Sequence, residues 1–400
     1  MAVATVLVAG GGYIVLVLVA RVLGPERYLD FSVFWAALYL GVGGIFGVQQ
    51  ETTRSVKTGL LVSGADGSRH GANAVWSGLA VGAVVAVLVA ASSPFWASQV
   101  FGAAGWQYVA LVVLGILLYS GHAATVGALA GENSWSYYSY LIVAESIARL
   151  CLVGAAAALA SSVLGFAVAS TLAMATWLVF LLAKPFRRAS GRRLDAGFAT
   201  SVSRTLQSVV ASTASAIIVT GFPLLLAIFV RGEDPDDLAR IILVVTLTRA
   251  PILVPLNAFL GMIVSSFVDR RDQTIRTVLR PMLWVFVLSL VLGIVAVLIG
   301  RQLLIFIFGP AYSMDALFIG GATVAAGFVG VISISGAAAL ARGHHRAYTG
   351  GWLLAALVTS VMLFLPIDIT ERVLLALLIG PVVGTMVHVW SLARGRRRRL

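Results

Sequence analysis

The hexapeptide Ile307-Phe308-Gly309-Pro310-Ala311-Tyr312, IFGPAY, separates two long apolar runs in the C-terminal half of the chain. A similar hexapeptide, VFGAAG at 100–105, separates two long apolar runs in the N-terminal half, and Gly102 lies 207 residues before Gly309. Apolar runs of 18 or more residues are typical of transmembrane helices. The 400 residues are 60% hydrophobic and 11% charged, whereas soluble domains are about 25% charged. We therefore expect an integral membrane protein.

The apolar windows predict an all-α polytopic protein with about twelve transmembrane helices. Gly, Ala and Ser are frequent within the runs, as in GGATVAAGFVGVISISGAAA at 320–339, and small residues allow helices to approach closely in lipid. The predicted spans are 2–23, 31–50, 72–93, 105–130, 138–160, 163–183, 203–230, 239–266, 280–300, 314–340, 348–366 and 371–393.

The 207-residue offset indicates an internal repeat. It maps the second, third and fourth predicted spans onto the eighth, ninth and tenth, and it maps VFGAAG onto IFGPAY. Six helices is an even number, so the two six-helix bundles would share one orientation and be related by an axis along the membrane normal. Chance matching between low-complexity apolar helices is the alternative. The predicted domains are residues 1–190, a basic linker 191–202, residues 203–393 and a basic tail 394–400.

The positive charges predict the orientation in the membrane. A cytoplasmic N-terminus places 20 of the 28 Lys and Arg residues in inside connections and 6 in outside ones, so we expect both termini in the cytoplasm of a multi-pass plasma (inner) membrane protein. The basic segments KPFRRASGRR (184–193) and RGRRRRL (394–400) are expected to contact anionic membrane lipids rather than nucleic acid. No phosphate-binding loop or metal-ligand pattern is found, so no cofactor is predicted.

Arg249 is the first candidate site residue, because an ionisable group inside a span is costly and usually functional. It precedes two prolines, Pro251 and Pro255, in TLTRAPILVPLNAF (246–259). Each proline removes a backbone hydrogen bond, so both are predicted hinge positions. A cation beside an opened backbone suits an anionic phosphate, and Asn257 is included in the same site. A snorkelling or backbone-capping arginine is the alternative interpretation.

Glu145 and Arg149 form a second candidate pair, four residues apart on the predicted fifth helix. The order Glu then Arg favours an intrahelical ion pair. This pair either is purely structural or faces a cavity and exchanges partners with a substrate phosphate or a coupling ion.

Further candidates lie near the predicted cytoplasmic surface. Glu51 and Arg54 follow the second span, beside its last residue, Gln50, and the three could form a vestibule for a sugar headgroup, or they could simply determine topology. The seventh span begins SVSRTLQSVVASTAS (201–215), where polar residues recur at helical spacing. Such a stripe must face protein or water, so it predicts a cavity lining or interhelical hydrogen bonds. Its members are Arg204, Gln207 or Ser208, Ser212 and Ser215.

Four segments resemble the polysaccharide-biosynthesis flippases, the O-antigen and exopolysaccharide translocases of the multidrug/oligosaccharidyl-lipid/polysaccharide flippase superfamily. The segments are ARVLGPERYLDFSVFWA (20–36), GVQQETTRSV (47–56), ALAGENSWSYYSYLIVAESIARL (128–150) and FGPAYSMDALFIGG (308–321). Asp30 departs from the pattern, which usually has Gly there. The resemblance implies translocation of polyprenyl-linked sugars across the plasma membrane by alternating access, through a protein of twelve or fourteen helices.

The leading hypothesis is therefore a flippase for a lipid-linked oligosaccharide, with no enzymatic activity and with other polysaccharide-assembly membrane proteins as possible partners. A cation or drug antiporter of the same superfamily would require unpaired acids in the spans, and the deep carboxylate, Glu145, lies one turn from an arginine. A membrane glycosyltransferase or polymerase would require a large outside loop, but the predicted outside connections are short. A scaffold in polysaccharide assembly is the fourth alternative.

Overall fold

The fold is described from a computed structural model, which covers residues 2–66, 71–102, 105–159, 161–230, 232–269, 276–342 and 344–397. Within these ranges the chain is almost entirely helical, with short 3-10 turns at Ser93–Phe95 and Pro310–Tyr312. An isolated antiparallel β-bridge joins Asn73 to Arg193. The predicted all-α polytopic class is confirmed.

Fifteen α-helices make up the described part of the chain. They are α1 (Ala2–Asp66), α2 (Ala74–Ser92), α3 (Ala97–Phe101), α4 (Gly105–Gly131), α5 (Trp135–Leu159), α6 (Val163–Ala173), α7 (Thr176–Phe180), α8 (Lys184–Ser190), α9 (Phe198–Val219), α10 (Phe222–Phe229), α11 (Pro235–Asp269), α12 (Arg276–Phe308), α13 (Ala316–Ala341), α14 (His345–Met362) and α15 (Ile369–Arg397).

Ten helical stretches in the described ranges are long and apolar enough to cross a membrane. The first, Val3–Leu60, has 58 residues, so at about 1.5 Å per residue it is long enough for two crossings. It contains the first two predicted spans, joined by a kink at Gly24 (φ 74°, ψ 172°) rather than by a loop. The predicted span at 348–366 forms the 18-residue helix α14, which is not among the ten.

Two predicted spans are interrupted. The predicted sixth span, 163–183, turns at Met174 and Ala175 between α6 and α7. The predicted seventh span, 203–230, breaks at Thr220 and Gly221, where Pro223 opens the next helix, α10. A proline is tolerated in the first turn of a helix because that turn has no intrahelical partner for its N–H groups.

The chain divides into two compact units. The first contains Met1–Leu23 and Asp30–Ala216, and the second contains Gly24–Leu29 and Ile217–Leu400. The short segment Gly24–Leu29 belongs to the second unit, where Tyr28 packs edge-to-face on Tyr312 with ring centroids 6.0 Å apart.

Glycines bring helix backbones together in the first unit. A Cβ added at Gly47 of α1 would lie 2.5 Å from the backbone of Ser208 and Val209 on α9, and one at Gly127 of α4 would lie 2.6 Å from the carbonyl oxygen of Gln49. Close approach of this kind is the function expected of small residues in lipid, where the hydrophobic effect does not drive helix association.

In the second unit, α12 packs antiparallel on α13, and α15 lies parallel to α13. Gly293 of α12 contacts Gly320, near the start of α13, whereas Gly330, further along α13, contacts Val285, nearer the start of α12. Residues early in α13 contact residues early in α15, and residues later in α13 contact residues later in α15, as in parallel packing. The N-terminal end of α12 therefore lies at the same end of the unit as the C-terminal ends of α13 and α15.

The two Phe-Gly motifs have the same backbone character. Gly102 follows α3 with φ 62°, and Gly309 follows α12 with φ 100°. Residues other than glycine rarely adopt such positive φ values. Both motifs therefore end a helix at a backbone position that favours glycine. The repeat axis and the cytoplasmic location of the termini stay predictions.

Candidate functional site

The predicted pair on α5 is an ion pair within the first unit. Nη2 of Arg149 donates to Oε2 of Glu145 at 3.2 Å, and both residues are buried, with exposed fractions of 5% and 7%. The structure therefore contains the intrahelical ion pair that this spacing predicts. Two polar atoms beside it, Nε of Arg149 and Oγ of Ser146, are buried without a hydrogen-bond partner.

Two aromatic rings of α1 cover the Arg149 guanidinium. Trp35 and Tyr39 stack on each other with centroids 4.4 Å apart. The guanidinium carbon of Arg149 lies 5.8 Å from the Trp35 ring and 5.6 Å from the Tyr39 ring, which is within the range of cation–π attraction. These rings were not among the predicted site residues, although their four-residue spacing places them on one face of a helix.

Arg249 is buried in the second unit, on α11, with 7% of its surface exposed. Its Nη1 donates to the carbonyl oxygen of Val219 at 2.7 Å, and its guanidinium carbon lies 5.6 Å from the Phe222 ring. Val219 is the last residue of α9, and the last carbonyls of a helix have no intrahelical partner. The structure therefore contains the contact of the backbone-capping alternative, and a role of Arg249 in phosphate binding stays a prediction.

The remaining candidates on α11 are less informative. The helix runs continuously from Pro235 to Asp269 through Pro251 and Pro255, both of which are exposed. Hinge motion at these prolines stays a prediction. The side chain of Asn257 lies outside the described part of the structure.

A polar cluster joins three of the other predicted residues, Glu51, Arg54 and Arg204, through Asp195, which was not among the predicted site residues. Arg54 donates to both carboxylate oxygens of Glu51, at 2.9 and 2.6 Å, and to Asp195 at 3.1 Å. Ser55 donates its hydroxyl to Asp195 at 2.5 Å, and Arg204 lies 3.5 Å from the same carboxylate. Asp195 was detectable as the one acid within the basic segment 184–204.

The partners of Asp195 determine its charge. Burial by itself raises the pKa of this carboxyl group, but the hydrogen bonds from Ser55 and Arg54, with the charges of Arg54 and Arg204, hold the pKa below its ordinary value. Asp195 is therefore ionised at neutral pH. It links the C-terminal part of α1, at Arg54 and Ser55, to the segment that precedes α9.

The predicted polar stripe on α9 is divided between two environments. Gln207 is exposed and lines an open cavity of about 650 Å³ along one face of α9, together with Val202, Ser203 and Leu206. Ser212 is buried, and Ser215 donates to its carbonyl oxygen at 2.8 Å.

The other predicted glutamine, Gln50, is exposed. Its neighbour Gln49, which is not exposed, donates to the hydroxyl of Tyr138 on α5 at 3.4 Å.

The described structure thus places the predicted residues in three separate groups. The Glu145–Arg149 pair and the Asp195 cluster belong to the first unit, whereas Arg249 belongs to the second. Among the described residues, the buried charged side chains are one glutamate and two arginines, so the buried charge is positive. The described ranges contain no group of three or more His, Cys, Asp or Glu residues that could hold a metal ion.

Relatives are found among mycobacterial proteins, while no protein-family model matches the chain. An uncharacterized protein of Mycobacterium tuberculosis is 38% identical over 399 residues, covering 98% of this chain and 90% of the relative. A second one from that species is 37% identical over 385 residues (96% and 89%), and one from Mycobacterium bovis is 37% identical over 393 residues (98% and 90%).

Solved transporter structures share the fold over the whole chain. The MATE transporter VcmN of Vibrio cholerae, solved as a mutant, superposes with a TM-score of 0.65 at 12% identity, covering 100% of this chain and 95% of that one. An inward-facing MATE family multidrug resistance transporter of the MOP superfamily gives 0.63 at 17% identity. A MOP superfamily transporter of Pyrococcus furiosus also superposes with a TM-score of 0.63 at 17% identity. Each of these last two superpositions covers 100% of this chain and 94% of the solved structure. At these identities the likeness establishes the fold.

Proposed function

Because the chain belongs to the family of these uncharacterized mycobacterial proteins and has the fold of MOP superfamily transporters, we propose that it is a flippase for a lipid-linked oligosaccharide. The glycan would be carried on a polyprenyl phosphate and cross the plasma membrane by alternating access, with both termini in the cytoplasm and the two halves related by an axis along the membrane normal. The protein would act as a transporter without catalytic chemistry.

The sign of the buried charge carries the proposal. Arg149 and Arg249 outnumber the single buried glutamate, Glu145, among the described residues. A buried guanidinium that cannot lose its proton favours an anionic ligand such as phosphate. The Pyrococcus furiosus transporter is described as having a binding pocket of reverse polarity, which suggests a different function for that protein. The sign of the buried charge is accordingly the feature on which we base the choice of substrate class.

The antiporter alternative is less well supported by the same residues. An exported cation requires a carboxylate that is free to exchange a proton or an ion for the substrate. The buried carboxylate of the described spans, Glu145, is already paired with Arg149 at 3.2 Å.

Groups that suit the sugar part of the substrate are also present. Ser203 and Gln207 line the open cavity along α9, and their hydroxyl and amide groups can both donate and accept hydrogen bonds. We propose that these groups meet glycan hydroxyls, while the phosphate interacts with a guanidinium and the polyprenyl tail stays in lipid.

Reconstitution of the purified chain into liposomes that contain a lipid-linked oligosaccharide tests the proposal. Transport is measured as the time-dependent accessibility of the glycan to a membrane-impermeant lectin. We expect flipping that depends on the protein and is saturable in the glycolipid. Export of cationic dyes with no glycolipid flipping would instead support the antiporter.

Variants of Arg249 separate a phosphate contact from a purely structural cap. Arg249→Gln keeps an N–H donor for the Val219 carbonyl but removes the charge, whereas Arg249→Ala removes both. We expect Arg249→Gln to fold normally and to lose most of its transport. The control is Arg346→Gln, which removes an exposed charge from α14 of the same unit. Full transport by Arg249→Gln, with instability only in the alanine variant, would assign Arg249 to capping alone.

In cells, deletion of the gene should leave complete lipid-linked glycans in the inner leaflet. Mass spectrometry of the accumulated lipids is the measurement. Accumulation of incomplete glycans would point to an assembly enzyme or a scaffold acting with other polysaccharide-assembly proteins.

A further inference from the structure

The second unit has an apolar groove that the transport proposal does not use. Side chains of α12, α13 and α15 line about 460 Å³ of space that is open on one side. We call this space the α12–α15 groove. It is formed by Met282 of α12, Phe328 and Val331 of α13, and Thr385 and Trp390 of α15, with their neighbours on these helices. Its volume lies within the range of ordinary ligand sites.

The lining is almost wholly hydrocarbon and aromatic. Phe328, Val331 and Met282 form the walls, so the groove offers few hydrogen bonds to a polar ligand. Oγ1 of Thr385 is buried without a hydrogen-bond partner. The three helices are long and apolar enough to cross a membrane, so the apolar walls of the groove belong to membrane-spanning segments.

One end of the groove is marked by an amphipathic ring and a cation. Trp390 is 56% exposed, and the guanidinium carbon of Arg394 lies 3.8 Å from the centroid of its ring. Exposed tryptophans of this kind are enriched at the membrane–water boundary. The cation–π contact holds the Arg394 charge at the polar end of the groove.

Two more cations lie at that end of the second unit. Arg276 and Arg280 are exposed in the first turns of α12. Leu279, which also lines the groove, follows Arg276 by three positions, so Arg276 and Leu279 lie on the same face of the helix. The antiparallel packing of α12 on α13, and the parallel packing of α15, bring the start of α12 level with Arg394. The arginine stems can follow apolar surface while their charges reach the headgroup region.

Carboxylates occupy the opposite end of the unit. Of the described side chains, Asp315 lies at the start of α13, and Asp368 and Glu371 lie at the start of α15. The described side chains at the end of the groove near Arg394 are therefore cationic, and the groove combines an apolar lining with a cationic rim.

From this combination we propose that the α12–α15 groove is a binding site for an anionic phospholipid of the surrounding bilayer. One acyl chain lies in the groove, and the phosphate contacts Arg276, Arg280 and Arg394. The site is distinct from the transport residues and does not depend on the identity of the transported glycan.

Native mass spectrometry of the purified full-length protein tests the site by titration with phosphatidylglycerol and with phosphatidylcholine. The variant Arg276→Gln/Arg280→Gln/Arg394→Gln should bind phosphatidylglycerol at least about tenfold more weakly, because each cation near the headgroup contributes favourably. The matched control, Arg21→Gln/Arg27→Gln/Arg301→Gln, removes three exposed cations that lie outside the groove and outside the two basic segments and should bind normally. Equal affinity of the two triple variants would overturn the proposal.

A second variant tests the acyl chain separately from the headgroup. Val331→Phe fills the groove and leaves the cations intact, and we expect it to weaken phosphatidylglycerol binding severalfold. Val291→Phe, at a 53% exposed position on α12 outside the groove, should have no effect. If Val331→Phe binds phosphatidylglycerol as tightly as the wild type, no acyl chain lies in the groove and the proposal is overturned. Displacement of phosphatidylglycerol by an equimolar polyprenyl phosphate would reassign the groove to the substrate carrier and overturn the phospholipid assignment.

Discussion

The buried Glu145–Arg149 pair allows a quantitative test of whether it serves structure or transport. Replacing Glu145 by Leu leaves the Arg149 guanidinium buried without its counter-ion. Breaking a buried pair in this way costs about 3–5 kcal/mol, and the exposed fractions of 7% and 5% place this pair in that class. We therefore expect Glu145→Leu to lower the free energy of unfolding by about 3 kcal/mol or more.

The reverse single variant should cost less. Arg149→Met leaves a carboxyl group, which can neutralise itself by binding a proton, whereas a guanidinium cannot. Its cost includes the lost attraction to the Trp35 and Tyr39 rings, up to about 2 kcal/mol when such a contact is desolvated. The double variant Glu145→Leu/Arg149→Met places two apolar side chains of similar length at these positions and should be within about 1 kcal/mol of the wild type.

The free energy of unfolding is measured by titrating the purified variants with SDS in mixed micelles and following tryptophan fluorescence. The control is Asp237→Asn, which breaks a 2.8 Å ion pair to Arg240 at an exposed position and should cost about 1 kcal/mol or less. A Glu145→Leu variant as stable as the wild type would refute the reasoning. If the stable double variant fails to transport, the pair contacts the substrate or couples transport; if it transports normally, the pair is structural.

Three further predictions concern stability. Gly351→Ala should lower the free energy of unfolding by about 1–3 kcal/mol, because the added Cβ would overlap with the imidazole of His388. The control Gly350→Ala should leave it unchanged, because no atom lies within 4 Å of a Cβ at that position. Equal melting temperatures of the two variants would contradict this packing. Asp195 has a lowered pKa in the folded state, so its contribution should be constant above about pH 5 and be lost as the pH falls below about 4. The difference in melting temperature between wild type and Asp195→Asn, which should shrink only in acid, reports this, and a difference independent of pH would argue against the ion-pair cluster. Finally, Tyr312→Ala should lower the free energy of unfolding by about 3 kcal/mol, because the side chain is 2% exposed and packs on Tyr28. The control Tyr312→Phe keeps the ring. Equal stability of the two variants in chemical denaturation would contradict the role of the ring.

Periodic and compositional properties of the sequence predicted the membrane class and most helices correctly. Long apolar runs have few alternatives in lipid, because backbone groups must find hydrogen bonds within the segment. Finer boundaries were harder to predict. The kink at Gly24 keeps the segment between the first two spans helical, and a Gly-Pro pair predicts a break there without indicating whether a kink or a loop forms. The break at Thr220 and Gly221 lies inside an apolar run that hydropathy treats as continuous.

The site residues show the same limit. The spacing of Glu145 and Arg149 on one helix is local information, so their pairing could be predicted. Trp35 and Tyr39 come from a helix more than 100 positions earlier, and their contact with Arg149 depends on how α1 packs on α5. Arg249 was recognised as a buried cation, but its bond to the last carbonyl of α9 depends on where that helix ends.

By itself, the sequence determined that this chain is a multi-pass helical membrane protein, and it identified the few charges inside its spans, because hydropathy and charge are properties of individual residues. The tertiary structure decided which distant groups the arginines contact. Arg149 lies against the Trp35 and Tyr39 rings, Arg249 donates to the Val219 carbonyl oxygen, and Arg54 donates to Asp195. The physical reason is that an ion pair or a helix cap depends on atoms a few ångströms apart, and helix packing alone brings such atoms together from distant parts of the chain.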